Sequence, residues 1–551
     1  MLAGGPNTFA AAIVDDLTLV ATLESLIKCW SVLTTECQRE NITINASKTV
    51  LLWPFSCEPP INVCEFTTSA GIHLVIGATK CLGTSIGFDD EARIALATEK
   101  VRSFDNTFFK VIRHPRFPVQ AVPYILRSSC IPSGSYLAGM LPPPIGAAPL
   151  RELDDKIVEA FMSKMEIPQS LIPIDQRDNF LFQLKHPIRL GGFGLVRQAE
   201  TNPIAFIGSV VRAMPYIKLR PPEPSSNMVS SSSNDSATMR SRELIPLVHS
   251  AMASAHFLSQ TYPASAPLLP SLTNEGKIKH LQSVDPKKFV SLVSAEIHDH
   301  LDQSLLRDQS PSNASLRHRL LSLRDPTARK FLSLLPFTPS LQMSTRDYRG
   351  TIHHLTGLYV DGNHSDECEA CGKPNSPDHA HVCVPLRRRG VTKRHDRILH
   401  KLKDIAEAAG CSFAIEPRVH EGVRSKPDGC VTMLGVDSDL FLDVSVIHTL
   451  APSYSGTTPA QQLKARDSSK FNKYGALCLS TGDDFRAFAL TTFGVLSEQA
   501  KQVLERLSLH HLENSDASSK GFLLRATNEI LVALHIGNAR LLRQGRRRAV
   551  F

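Results

Sequence analysis

Near the C-terminal end of this chain, a few residue types recur at spacings that suit chemistry on a phosphate. Asp428 closes the run Lys426-Pro427-Asp428, and Asp443 sits inside the apolar run Leu440-Phe441-Leu442-Asp443-Val444-Ser445-Val446. Two carboxylates on adjacent short strands hold a hard divalent cation, Mg²⁺ or Mn²⁺, against a scissile phosphate. An aspartate buried in a strand is costly without such a partner. Arg394, His395 and Lys426 flank the pair as candidate phosphate contacts. Asp396 serves equally well as a carboxylate at the start of a helix, where it would complement the macrodipole. Glu416 is a further metal-ligand candidate, although Glu-Pro at a strand end is as readily structural.

A second constellation lies just upstream. Cys368-x2-Cys371-x7-His379-x3-Cys383 supplies three thiolates and an imidazole, the donor set of tetrahedral Zn²⁺. His381 competes with His379 for the nitrogen position, but it leaves one residue before Cys383 and crowds the ligands, so His379 is preferred. Gly372 permits the tight turn after the second cysteine. A third feature is Asp15-Asp16 between two apolar runs, a hairpin with its carboxylates at the turn. Such a pair coordinates the two cations of a phosphoryl-transfer site, or is simply a solvated turn.

These residues need elements to hold them. The chain has 551 residues, 42% of them hydrophobic, enough for roughly three to four domains with cores of their own. Twelve cysteines in this length are not a disulfide framework and suit a reducing compartment. A net charge of +8 is gathered at Arg387-Arg388-Arg389, Lys393-Arg394 and the tail from Arg540 to Arg548, which favours nucleic acid as partner. Asp15-Asp16 interrupts the N-terminal apolar run before a signal sequence or membrane span is complete. The expectation is an intracellular, nuclear protein without a membrane partner.

Apolar spacing predicts a helix from about Leu23 to Glu40, a strand from Thr49 to Trp53, and a strand or turn at Leu82-Gly83. Helices continue from Glu91 to about Ala213, with a glycine-rich turn at Gly191-Gly192-Phe193-Gly194. Pro221 to Ser236, with its run Ser230 to Ser233, reads as a linker, and a second helical region runs from about Arg242 to Leu358. Beyond the cysteines, Arg394 to Gly410 reads as an amphipathic helix. Strands are expected at Phe413–Glu416, Asp428–Leu434 and Leu440–Ile447.

In this order the motifs resemble the protein of non-LTR retrotransposons. Ile13-Val14-Asp15-Asp16 with Ile44-Asn45-Ala46-Ser47-Lys48-Thr49 resembles the reverse transcriptase palm motif and its successor, with Ile13 where an aromatic is usual. Leu82-Gly83 resembles the primer grip, and His186-Pro187-Ile188-Arg189-Leu190-Gly191-Gly192-Phe193-Gly194 resembles the thumb side. The cysteine cluster resembles a CCHC knuckle, and the residues C-terminal to it resemble a restriction-like endonuclease of the PD-(D/E)xK type. The resemblance implies an α+β multidomain protein: partial palm at 1–88, thumb-like helices at 89–220, linker at 221–240, helical region at 241–360, zinc knuckle at 366–384 and an α/β endonuclease domain at 385–551. It implies Asp428 and Asp443 as Mg²⁺ ligands and Asp15 and Asp16 as a polymerase remnant. Ser445 stands where the nuclease motif has lysine, and the segment Lys470-x2-Lys473-Tyr474 resembles the displaced lysine of the retrotransposon version, either lysine being a candidate. Target DNA and element RNA are the implied partners, with no small-molecule substrate beyond nucleotides. The fourteen residues before Asp15 omit the third palm aspartate, so polymerisation is not expected of this chain.

Overall fold

The computed structural model describes residues 9–13, 16–55, 57–213, 253–258, 260–261, 286–308, 310–360, 367–419, 426–454, 456–513 and 519–544. Within them the protein is mixed α and β, dominated by helices around small sheets. No helix among the described residues is long and apolar enough to cross a membrane. Asp15, the serine-rich linker and Arg546 to Arg548 lie outside the described residues.

The N-terminal elements keep the expected order. Strands β1 (Phe9–Ile13) and β2 (Asp16–Val20) pair antiparallel, with Ile13 opposite Asp16 in the register. The Leu23–Arg39 helix is capped by the Thr22 hydroxyl, which accepts from the Ser25 amide. Strands β3 (Val50–Trp53) and β4 (His73–Ile76) are parallel, and β5 (Ala78–Cys81) and β6 (Thr84–Gly87) form a hairpin. Leu82 and Gly83 are its turn, with φ of +48° and +78°, as a two-residue hairpin loop requires.

The helices beyond it share one core with the region after the linker. Phe109, Leu126, Leu150 and Phe161 pack in the same cluster as Phe331, Tyr348 and Leu355. The serine-rich segment divides the sequence but not this core. Gly191, at φ +91°, makes a close backbone approach between the two regions: its absent Cβ would stand 2.3 Å from the Leu320 carbonyl oxygen.

The C-terminal unit is built on one four-stranded sheet of order β10-β9-β8-β7: β7 (Ser412–Ile415), β8 (Gly429–Thr432), β9 (Leu440–Ile447) and β10 (Asp484–Thr491). The first three are antiparallel neighbours, and β10 returns parallel to β9 after the Pro459–Ser480 helix. Alternation along β9 sends Leu440, Leu442 and Val444 into a core with Leu399, Leu402, Val503 and Ile530 from three helices. Phe441 goes to the opposite face with Tyr474 and Cys478, under the Pro459–Ser480 helix. Gly429 is bare because the Phe413 ring covers it, 2.5 Å from where its Cβ would be.

One expected boundary is corrected. The helix expected from Arg394 begins at Val384 and runs to Ala408, with proline in its first turn. Arg394-His395-Asp396 therefore lies mid-helix, and Asp396 is no N-terminal carboxylate. The helix runs through Arg387-Arg388-Arg389 and Gly390 before it reaches Arg394.

Candidate functional site

The register of β8 on β9 pairs Gly429 with Leu442 and Cys430 with Phe441. Continued by one step, it sets Asp428 opposite Asp443. The Val444 amide closes the arrangement by donating to Asp428 Oδ2 at 2.7 Å. Asp443 shares the face of Phe441 and is 3% exposed, so its charge needs a partner. Lys470 supplies one, with Nζ 2.5 Å from Asp443 Oδ2. Ser445, on the same face, is buried with Oγ lacking a hydrogen-bond partner among the described residues.

The two candidate lysines separate cleanly. Leu463, Asp467, Tyr474 and Cys478 are the buried stripe of the Pro459–Ser480 helix, and Lys470 falls on that stripe by its i, i+3, i+4 spacing. Lys473 is off it and exposed; its Nζ donates to the Tyr474 hydroxyl at 2.7 Å, and that hydroxyl donates to the Lys426 carbonyl at 3.1 Å. Lys473 thus braces the loop that delivers Asp428. The stripe was readable in the sequence and would have distinguished the lysines. Glu416 has an exposed side chain and a left-handed backbone at φ +49°, and its amide donates to the Asp428 carbonyl at 2.9 Å. Its part is to hold the loop.

The basic residues of the helix also divide. His395 Nε2 lies 2.9 Å from Asp428 Oδ2 and Nδ1 lies 3.2 Å from Asp396 Oδ1. The hydrogen bond to Asp428 raises the imidazole above its ordinary pKa, against the opposing effect of burial. Arg394, expected on a phosphate, is 3% exposed and turned inward, with Nη1 donating to Asn538 Oδ1 at 2.9 Å. A guanidinium so enclosed cannot reach a DNA backbone; helical rotation has put it on the core side. Lys426 remains exposed, two residues before Asp428. In the basic tail, Arg540 pairs with Asp347 at 3.0 Å and Arg543 pairs with the same carboxylate, so these two hold the last helix to the Thr345–Thr356 helix.

The cysteine motif comes together as its spacing predicts. Cys368, Cys371, His379 and Cys383 present donor atoms that all lie within 4.8 Å of one another. Cys371 Sγ is 3.2 Å from His379 Nε2, and Cys368 Sγ is 3.9 Å from Cys383 Sγ. Tetrahedral zinc with the usual bond lengths spaces its sulfurs about 3.8 Å apart, so the donor set fits that ion. Gly372 at φ +66° makes the turn, its amide donating to the Cys368 carbonyl at 2.7 Å. Burial pushes the Cys383 thiol up to about 11, and a bound cation would offset that cost of ionisation.

His381 belongs to a buried cluster that the sequence did not disclose. Its Nε2 lies 3.2 Å from His354 Nε2, its Nδ1 lies 3.2 Å from Arg394 Nη1, and its ring stacks on His448. His354 Nε2 is 3.5 Å from Asp378 Oδ1, and Arg319 pairs with the other oxygen of Asp378. His354, Asp378 and His381 resemble a ligand set by distance. The donors decide otherwise. An arginine only donates, so His381 Nδ1 accepts and its Nε2 carries the proton that bonds His354. Burial holds both imidazoles well below their ordinary pKa, in the neutral form this chain of bonds needs. A dication there would also face two buried guanidiniums.

No family model matches this chain, and no curated protein shows significant similarity to it.

Proposed function

We propose that this chain is a metal-dependent DNA endonuclease of retrotransposon type, carrying a zinc knuckle that places nucleic acid beside the cleavage site. The observation that carries the reading is the meeting of Asp428 and Asp443 across β8 and β9, with Lys470 beside Asp443. Mg²⁺ held there would polarise the phosphate and lower the pKa of an attacking water. The side chains have separate tasks. Asp428 and Asp443 supply hard oxygen donors, Lys470 offsets charge building on the phosphate, and Lys426 meets the backbone from outside. Knuckle, sheet and basic residues come after a helical body and a small N-terminal β region, an order that supports the retroelement assignment, with target DNA and element RNA as partners. A nick made this way exposes a 3′-hydroxyl able to prime reverse transcription; within this reading the protein works in the nucleus.

The test is nicking of supercoiled plasmid by the full chain with Mg²⁺ or Mn²⁺, beside Asp428→Ala and Asp443→Ala. Metal-dependent nicking lost in both variants is expected. A folded, zinc-loaded protein that binds DNA without nicking it, and binds as well after Asp428→Ala, would make it a binding protein instead.

A further inference from the structure

We propose that Arg394 and His395 form a strut through which the zinc knuckle sets the position of Asp428, His395 being the positioning residue for that carboxylate. The inference rests on the nuclease reading only for the use made of Asp428. Successive helical residues project about 100° apart, so this pair reaches two different neighbours from one turn. Arg394 reaches the knuckle at His381 Nδ1, 3.2 Å away, and the last helix at Asn538 Oδ1, 2.9 Å away. Gly537 makes room for it: a Cβ there would stand 2.6 Å from Arg394 Cγ. Asn538 in turn donates to the Thr492 carbonyl at 2.7 Å, just past the end of β10. His395 reaches the sheet at Asp428 Oδ2, 2.9 Å away.

Asp428 Oδ2 receives both His395 and the Val444 amide, while Oδ1 accepts no hydrogen bond among the described residues. That division fixes the carboxylate's rotation and leaves Oδ1 for a cation, as outer partners of metal ligands commonly do. The knuckle end is equally constrained. His381 lies two residues from the zinc-ligand candidate His379, and a buried guanidinium does not leave its acceptors without stranding a charge. Ordering of the knuckle by zinc therefore fixes Arg394, and with it the height and rotation of His395 on the same helix.

The experiment uses the full chain and three readouts: zinc content, Mn²⁺ affinity by electron paramagnetic resonance, and hydrogen exchange across residues 426–446. His395→Ala is expected to keep its zinc, to bind Mn²⁺ about 10- to 100-fold more weakly and to exchange faster in that segment. His395→Gln, which restores a donor, should recover part of both. Removing zinc from the wild-type chain should speed exchange in the same segment, and Arg394→Lys reads the same link if chelation unfolds the protein. Unchanged Mn²⁺ affinity and exchange in His395→Ala would overturn the strut. So would weakened DNA binding alone, which would make His395 a DNA contact, or two zinc ions per chain, which would break the His381 to Arg394 bond. If the wild-type chain takes up no Mn²⁺ dependent on Asp443, the nuclease reading fails; the exchange response then still supports or overturns the strut.

Discussion

Lys470 and Asp443 form a nearly buried ion pair, Nζ to Oδ2 at 2.5 Å, between a helix and the strand it covers. Within the proposed nuclease reading, the helix thereby returns a lysine to the face of β9 on which Ser445 occupies the motif's lysine position. Lys470→Ala should slow nicking by roughly 10²- to 10³-fold, the usual cost of one preorganised charge-stabilising donor. Lys473→Ala should cost less than about tenfold, because its amine meets Tyr474 rather than the carboxylates. Equal losses in the two variants would remove the distinction drawn between them.

The two histidine-containing clusters are expected to differ in metal content. The full chain, dialysed against trace zinc and measured by mass spectrometry, should carry one zinc per chain. Cys368→Ser should lose it and melt at lower temperature, whereas His354→Gln should retain it. A zinc content that survives Cys368→Ser would place the ion elsewhere.

Gly191 should not tolerate a side chain. Gly191→Ala combines a left-handed backbone with a Cβ 2.3 Å from the Leu320 carbonyl oxygen, so backbone itself must move. A loss of at least about 2 kcal/mol is expected from strain and clash together. Chemical denaturation measures it; a variant within about 0.5 kcal/mol of wild type would show that the helix carrying Leu320 yields freely.

Asp154 should make stability depend on pH. Its carboxylate accepts the Gln198 and Ala199 amides at 2.7 and 2.9 Å, yet burial outweighs these bonds and pushes its pKa up to about 7. The folded value is raised above the unfolded one, so the folded chain binds the proton more tightly. The resulting stability is full below about pH 4, is lost as pH rises to about 7, and is on the order of 4 kcal/mol. Melting curves of wild type and Asp154→Asn between pH 4 and 8 should converge or cross as pH rises. A constant offset would show that Asp154 does not titrate in this range.

Much of this protein could be read locally. The apolar run from Leu440 reads as a strand to Ile447, with the same ends as the observed one. The cysteine spacing selected the four donors that meet, including His379 over His381. Leu82-Gly83 reads as a strand or turn, and the structure makes it a turn, since glycine accepts backbone angles that few other residues do. Strand alternation and ligand spacing over a dozen residues are properties of short segments, which is why the sequence by itself determined them. The register of β8 on β9, the descent of Lys470 onto Asp443, the burial of Arg394 against His381 and Asn538, and the His354 cluster join residues from about a dozen to more than a hundred positions apart. Such pairings depend on how helices rotate and settle on a sheet to bury their apolar stripes. Only the tertiary structure decided them, because no local pattern records which way an arginine in the middle of a helix will face.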